Sequence, residues 1–163
     1  FGNPESPHAF GWEARDAVEA AREKVAALVG SEASQVVFTG SATESIDLAL
    51  TGLAERHGSG HFVTTAIEHP AVLRTLERLE SKGFGLSVVP VGEDGIVDSA
   101  EIGAVLRDDT IACSVMAANN EIGTLQPVTP VLRAFRANQR IQVVAPGNPL
   151  CQLAQIVAPE QFA

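Results

Sequence analysis

Short apolar runs alternate with helical patterns along this chain, and that alternation constrains the fold more than any other feature. The runs "QVVFTG", "HFVTTA", "LSVVPV", "TIACSVMA" and "IQVVA" are typical of strands. The segments between most of them carry apolar residues at helical spacing. Strands that are joined through helices pair in parallel with right-handed crossovers. The sequence therefore predicts an α/β fold, with a parallel sheet at the centre of a three-layer sandwich.

The predicted helices are bounded by residues that commonly start and stop helices. They cover residues 13–29, 41–58, 70–83, 98–109 and 127–138. Glycines end the first three, and Pro70 and Asp98 begin the third and the fourth. One face of the first helix carries Ala17, Val18, Ala21, Val25 and Leu28. The stretch "GEDG" at 92–95 predicts a turn.

The composition excludes several classes of partner. An apolar fraction of 45% in 163 residues suits a globular domain with a core. A net charge of −9 argues against nucleic acid and against an anionic membrane surface, and no apolar run is long enough to cross a bilayer. Two cysteines, Cys113 and Cys151, fit a reducing cytoplasm better than a disulfide framework. No two histidines have metal-ligand spacing, so we predict no metal site.

Three segments deserve inspection because ligands bind beyond the carboxyl ends of parallel strands. They are residues 39–43, 65–69 and 118–123. In the first, "FTGSATES", free amides at a helix start suit a phosphate, and Ser41 and Thr43 add hydroxyl groups. The alternative is a plain helix cap by one of these hydroxyls, with Glu44 favoured by the helix dipole. Both interpretations stay open at this point.

The other two segments offer a histidine and a pair of amides. His69 precedes Pro70 in "TTAIEHPAV" and suits a proton carrier or a flat stacking surface, although a surface histidine in a turn explains it equally. In "AANNEIGT", Asn120 suits a hydrogen bond to a ligand oxygen, and Glu121 suits a role in proton transfer or in holding a loop. The alternative is a turn of the kind that asparagines make readily.

Four ordered stretches, "FGNPESPHAFG", "VVFTGSATESIDLAL", "TTAIEHPAVL" and "SVMAANNEIGTLQPV", resemble the cysteine desulfurases of the class V aminotransferase family. The match runs from Phe1 to about Ala134. The resemblance implies part of the large domain of a PLP-dependent transferase of fold type I, with pyridoxal 5'-phosphate as the cofactor. It also implies a homodimer that takes sulfur from L-cysteine and leaves L-alanine. The sulfur would pass to an acceptor or a scaffold protein for iron–sulfur cluster assembly.

The resemblance assigns roles to individual residues. Ala42 and Thr43 match positions that bind the cofactor phosphate. His69 matches the histidine that stacks on the pyridine ring and helps to move protons, which makes it the candidate catalytic residue. Asn120 matches the asparagine that contacts the cofactor or the substrate. Glu121 matches a glutamate of the same motif.

The chain also departs from the family pattern. "GSATE" reverses the usual order of Gly40 and Ser41, and a side chain at position 41 would strain the loop if the backbone there needs a positive φ. Ile46–Asp47 stands where the family has two asparagines, and Glu5 stands where serine is usual. Pro146 stands about where the family has the aspartate that pairs with the ring nitrogen.

The lysine and the sulfur-carrying cysteine of the family have no match in this chain. Lys24 and Lys82 are the two lysines, and both read as solvated charges on helices. Cys113 reads as an inert core residue, and Cys151 lies in a proline-rich tail. We therefore expect no turnover by the isolated chain, because the reaction needs a lysine that forms a Schiff base.

The predicted organisation is a partial desulfurase-like large domain at 1–136 and a divergent tail at 137–163. The predicted function is that of a cysteine desulfurase homologue in the cytoplasm, inactive by itself. One alternative is a non-catalytic module that binds PLP or another phosphate, or that pairs with a full-length partner. Another is a nucleotide-phosphate site at residues 40–43, although the chain lacks a G-x-G-x-x-G pattern and a P-loop lysine.

Overall fold

The computed structural model describes residues 2–137, 142–146 and 154–157. These residues form two compact units, Phe1–Gly40 and Ser41–Ala163, which we describe separately. Cys151, which we predicted to lie in a tail, falls outside the described residues.

The first unit is built on one long helix. Helix α1 covers Ala9–Val29, and its first turn is capped by the side chain of His8, which accepts a hydrogen bond from the amide of Gly11. It ends at Gly30, whose φ of 69° lies in the left-handed region that favours glycine. A short 3-10 helix, Ala33–Gln35, follows. The predicted helix and its stop are therefore confirmed.

The predicted strand in "QVVFTG" was wrong. Residues 36–40 belong to no strand, and one side chain of α1 contacts them instead. The guanidinium group of Arg22 donates a hydrogen bond to the carbonyl of Val36 and lies 5.0 Å from the ring centroid of Phe38. High β-propensity marks a segment that is able to pair, but it does not supply the neighbouring strand.

The apolar face predicted for α1 is only partly buried. Val18 and Val25 are half-buried, whereas Ala17 and Ala21 are exposed and Leu28 is 78% exposed. A unit of this size has little core with which to cover a whole helix face.

The second unit contains a five-stranded sheet in the order β2-β1-β3-β4-β5. The strands are β1 His61–Thr65, β2 Gly85–Val89, β3 Thr110–Ser114, β4 Gln142–Pro146 and β5 Ala154–Val157. The first four pair in parallel, as predicted. Strand β5 was not predicted, and it pairs antiparallel with β4 at the sheet edge. The sheet is therefore mixed, with one antiparallel edge strand on a parallel body.

Helices cover this sheet on both faces. They are α2 Ala42–His57, α3 Pro70–Glu80, α4 Ser99–Val105 and α5 Val128–Ala137. Neighbouring residues of β1 point to opposite faces: Phe62 packs with buried residues of α2 and α3, and Val63 packs with Ile102 of α4 and Val131 of α5. The three-layer sandwich that the sequence predicts is confirmed. In the described part of the chain, no helix is long and apolar enough to cross a membrane.

The predicted starts of these helices hold within one residue, but two predicted ends were wrong: α3 ends at Glu80 rather than at Gly83, and α4 ends at Val105 rather than at Asp109. Helix α2 ends at Gly58 with a φ of 73°, and Pro70 occupies the first turn of α3. Asp98 caps α4, because its carboxylate accepts a hydrogen bond from the amide of Ala100 at 2.8 Å. The turn predicted at 92–95 forms with a hydrogen bond from the amide of Gly95 to the carbonyl of Gly92.

A buried histidine ties three strands together at the amino edge of the sheet. The imidazole Nδ1 of His61 lies 2.9 Å from the hydroxyl of Thr110 in β3, and its Nε2 lies 2.8 Å from the hydroxyl of Ser87 in β2. Burial lowers the pKa of His61, and the positive charge of Arg107 lowers it further, against an opposing effect of Asp109. Both ring nitrogens are therefore satisfied by neutral hydroxyl groups.

We predict that His61→Ala lowers the free energy of unfolding by about 2–4 kcal/mol, because it leaves a cavity and removes the hydrogen bonds of the imidazole to the hydroxyl groups of Thr110 and Ser87. Urea denaturation measures this change. The control is His57→Ala, at an exposed position in the last turn of α2, for which we expect a change within about 0.5 kcal/mol. Equal effects of the two substitutions would contradict the role of His61.

Candidate functional site

The carboxyl ends of β1 and β3 lie side by side, because the two strands pair in parallel with Thr64 opposite Ser114. The segments that follow them, 66–69 and 115–126, therefore leave the sheet at the same edge. Two of the three segments predicted from the sequence meet at this edge.

The start of α2 lies at the same edge. Helices α2 and α3 each lead through a short connection into the amino end of a strand, so both run from the carboxyl edge toward the amino edge. They are also in register, since Asp47, five residues after the start of α2, contacts Thr75, five residues after the start of α3. Thr43 and His69 therefore both lie in the first turn, or at the start, of helices that begin at the carboxyl edge.

Ser41 is the N-cap of α2. Its hydroxyl accepts a hydrogen bond from the amide of Glu44 at 3.2 Å, as the cap interpretation predicts. Its φ of −164° is extended backbone, so the strain expected from a side chain at this position is absent. Ala42 and Thr43 are the first two helical residues, and Thr43 is exposed. Amides at these positions suit an anion, so the phosphate role of both residues stays a prediction.

His69 is the N-cap of α3 and is exposed. Its Nδ1 accepts a hydrogen bond from the amide of Ala71 at 3.1 Å. A ring nitrogen that accepts carries no proton, so the neutral imidazole holds its proton on Nε2. The turn therefore fixes the tautomer and leaves an N–H group for a ligand.

Of the two adjacent asparagines, Asn119 has a structural role and Asn120 is open to a ligand. The Oδ1 of Asn119 accepts hydrogen bonds from the amides of Glu121 and Ile122 at 2.9 and 3.0 Å, and its Nδ2 donates to the carbonyl of Ile67 at 3.0 Å. Asn119 therefore makes the turn that was the alternative interpretation. Asn120 is exposed, and its side chain makes no hydrogen bond to any described residue, so its amide is available to a ligand. Glu121 is also exposed.

Glu68 is the residue of this edge that sequence reasoning missed. It is only 4% exposed, and its Oε1 accepts hydrogen bonds from the hydroxyl of Thr65 at 3.1 Å and from the amide of Met116 at 2.5 Å. Neither its Oε2 nor the buried hydroxyl of Ser114 completes a hydrogen bond with a described residue. The only signal in the sequence is an acidic residue directly before His69, and a glutamate in a turn is ordinarily solvated.

Burial raises the pKa of Glu68 from its usual 4.5 to about 7. The amide of Met116 opposes this rise by stabilising the charged form, and so does the hydroxyl of Thr65. Within the described residues Glu68 forms no salt bridge, so no cation compensates its charge. A buried carboxyl without a cation favours its neutral form.

Three further residues named from the sequence are a buried cysteine and two exposed lysines. Cys113 is buried in β3, and burial together with the charge of Glu68 raises the pKa of its thiol, which confirms it as an inert core residue. Lys24 is exposed on α1 of the first unit. Lys82 is exposed in the connection from α3 to β2, which lies at the amino edge of the sheet. Lys82 therefore lies at the end of α3 opposite to His69.

The departures from the family pattern have structural explanations in part. Ile46 is buried in the core beneath α2. Asp47 accepts hydrogen bonds from the hydroxyl of Thr75 and from the guanidinium group of Arg78, so it joins α2 to α3. Strand β4 ends at Pro146, at the carboxyl edge. Among the described residues, no group of three or more histidine, cysteine, aspartate or glutamate side chains is placed to hold a metal ion.

Comparison with known proteins gives a consistent set of relatives. Residues 1–146 match the family described as aminotransferase class-V. The cysteine desulfurase IscS of Stutzerimonas stutzeri (strain A1501) is 50% identical over 140 residues, which cover 84% of this chain and 35% of that protein. The cysteine desulfurase IscS of Anaeromyxobacter sp. (strain Fw109-5) is 49% identical over 140 residues, with the same coverage of 84% and 35%.

Solved structures give the same picture. A NifS-like protein has a TM-score of 0.85 and 44% identity, and the match covers 88% of this chain and 40% of that chain. A structure titled "SspA in complex with cysteine" has a TM-score of 0.82 and 33% identity, and the match covers 89% and 42%. The chain thus spans about a third of the length of the curated relatives that it matches.

We predict that Glu68→Gln changes how stability depends on pH. Between pH 4.5 and about 7 the folded protein keeps a proton on Glu68 that the unfolded chain has lost, so the stability contributed by this group falls as the pH rises through that window. The full loss is about 3 kcal/mol above pH 7. Glutamine does not ionise, so the variant should gain up to that amount relative to the wild type between pH 4.5 and 8.

Urea denaturation of both proteins at a series of pH values measures the difference. His61, whose pKa is lowered, contributes the opposite trend, because its neutral form is favoured and its contribution is lost as the pH falls. That contribution is common to both proteins and cancels. A stability difference that stays constant from pH 4.5 to 8 would show that Glu68 titrates normally.

Proposed function

Because this chain belongs to the class V aminotransferase family, we propose that it forms the cofactor-binding part of a cysteine desulfurase, which removes sulfur from L-cysteine and leaves L-alanine. The family uses pyridoxal 5'-phosphate, and the fold is that of its fold type I members. The observation that carries the proposal is that Thr43, His69 and Asn120 all lie at one edge of the sheet. The hydroxyl of Thr43, the Nε2 of His69 and the side-chain amide of Asn120 make no hydrogen bond to another described residue.

The start of α2 would hold the phosphate. The amides of Ala42 and Thr43 are the first of the helix, and the helix dipole adds a partial positive charge there. The hydroxyl of Thr43 adds one more donor. The hydroxyl of Ser41 already accepts a hydrogen bond from the amide of Glu44, so Ser41 stabilises the first turn of α2.

His69 and Asn120 would hold the ring and the substrate. The imidazole of His69 is exposed, and its tautomer is fixed by Ala71, so it offers a flat face and a proton on Nε2. The amide of Asn120 offers a donor to an oxygen of the ring or of the substrate. The cofactor, when bound, supplies the electron sink that lets a C–S bond of cysteine break.

We expect no turnover by this chain alone because neither of its two lysines, Lys24 and Lys82, matches the lysine of the family. The two lysines are an exposed residue of the first unit and an exposed residue at the amino edge of the sheet. A lysine at the carboxyl edge would be needed for the covalent link to the cofactor. We therefore infer that these 163 residues bind the cofactor without a covalent bond.

The remaining parts of the proposal concern partners. We propose a homodimer that passes sulfur to an acceptor or scaffold protein for iron–sulfur cluster assembly, in the cytoplasm. The names of relatives support the sulfur-transfer part of this proposal, since these relatives are cysteine desulfurases. A second candidate function is a non-catalytic module that binds PLP or pairs with a full-length partner. The absence of a lysine that matches the lysine of the family favours that candidate for the chain by itself.

We predict that PLP binds this chain reversibly and that Thr43→Ala weakens the binding about tenfold, because one hydrogen bond to a charged phosphate is lost. Absorbance titration of PLP measures the dissociation constant. The matched control is Thr129→Ala, since Thr129 is also an exposed threonine at the second position of a helix. We expect no change for this control. Equal affinity of the wild type and Thr43→Ala would contradict the phosphate site.

We further predict that borohydride reduction of the chain with PLP leaves no adduct on Lys24 or Lys82. Peptide mass mapping detects such an adduct, and an alanine assay with L-cysteine as the substrate detects turnover. Free lysine amines on a surface react only weakly and reversibly with an aldehyde, so traces should disappear on dilution before reduction. A stable adduct at either lysine, together with alanine formation, would overturn the non-covalent assignment.

A further inference from the structure

Glu68 is a buried acidic residue in a turn that also contains exposed residues. Ala66 and His69 are exposed, whereas Glu68 is 4% exposed. A buried carboxyl group is costly unless its oxygens are bonded. No cation pairs with it in the part of the chain that the structure describes. The turn therefore keeps this side chain inside at a free-energy cost that surface exposure would avoid.

The carboxyl group joins the ends of two strands. Its Oε1 accepts one hydrogen bond from the hydroxyl of Thr65, the last residue of β1, and one from the amide of Met116, two residues beyond the end of β3. Next to it, the carbonyl of Ile67 accepts a hydrogen bond from the side chain of Asn119 at 3.0 Å. Adjacent residues of one turn are thus tied to Met116 and Asn119 of the other turn.

Each of the two proposed ligand-facing residues follows one of these ties directly. His69 comes one residue after Glu68, and Asn120 comes one residue after Asn119. A site works only when its groups are held in a narrow range of distances, and a rigid second layer of hydrogen bonds provides that restraint. The two ties therefore join the turn that precedes His69 to the turn that precedes Asn120.

The second oxygen of the carboxyl group indicates which form makes the ties. Oε2 lies buried, as does the hydroxyl of Ser114 in β3, and neither has a partner among the described residues. A protonated Oε2 is a donor that suits a hydroxyl acceptor, whereas an ionised one would be an uncompensated charge. The titratable groups around it are the thiol of Cys113 in β3 and the exposed imidazole of His69 next along the chain.

We propose that Glu68 is a positioning residue, which acts in its neutral form to lock the His69 turn onto the end of β3 and so sets the geometry of His69 and Asn120. The part of this proposal that concerns a ligand rests on the proposed function. The lock between the two turns does not depend on it.

Amide hydrogen exchange of the full chain tests the lock without any ligand. In Glu68→Leu, which has a similar size and no charge to bury, the amide of Met116 loses its acceptor and should exchange at least tenfold faster. In Glu68→Gln the acceptor remains and the side-chain NH₂ can face Ser114, so exchange should stay within about threefold of the wild type. The amides of Phe62 and Ala112, in the middle of the sheet, should not change in either variant.

PLP affinity tests the positioning role. Glu68→Leu should weaken binding about tenfold and Glu68→Gln should not. The matched control is Glu77→Gln, at an exposed position of α3, which should change neither measurement. If Glu68 acts through Asn120, then Asn120→Ala should add little to Glu68→Leu, whereas Thr43→Ala should add its full effect. A general loss of stability would instead weaken all three contacts alike.

The outcomes separate this proposal from the proposed function. If the wild type does not bind PLP, the proposed function fails, and the exchange of the Met116 amide alone decides whether the lock exists. Unchanged exchange at Met116 in Glu68→Leu would overturn the lock. Fully additive effects of Glu68→Leu and Asn120→Ala would overturn the positioning role.

Discussion

The parallel pairing of β1 with β3, buried under helices on both faces, is the constraint from which the rest of the second unit follows. Parallel neighbours must leave the sheet at the same edge, so the turns after Thr65 and Ser114 are brought together. The crossover helices then begin at that edge, which adds the start of α2. Residues that are far apart in the chain become neighbours because of strand direction alone.

The two edges of this sheet treat buried polar groups differently. At the amino edge, both nitrogens of His61 face neutral hydroxyl groups, and the network is complete. At the carboxyl edge, Glu68 satisfies one oxygen and leaves the other beside Ser114, with neither completed. A complete network stabilises a fold, whereas an incomplete one costs free energy that is ordinarily tolerated where a protein binds or reacts. This asymmetry supports the proposal that the carboxyl edge is the functional one.

The proposed site has groups that suit the binding of a cofactor. The helix start at Thr43, the N-cap histidine and the free amide of Asn120 suit the phosphate and the ring of a cofactor. Within the described residues of the second unit no lysine lies at this edge, because Lys82 lies at the opposite end of α3. The described residues therefore support a proposal of cofactor binding rather than one of covalent chemistry.

The sequence by itself determined the helices, the four parallel strands and the three-layer class, because apolar periodicity and capping residues such as Gly58 and Asp98 act locally. It also marked the segments that hold Thr43, His69 and Asn120. Only the tertiary structure decided which segments pair: "QVVF" is not a strand, and β5 joins β4. It also decided that Glu68 is buried, since the amide of Met116 that holds it lies 48 residues away along the chain. Pairing and burial depend on such distant partners, and no local pattern records them.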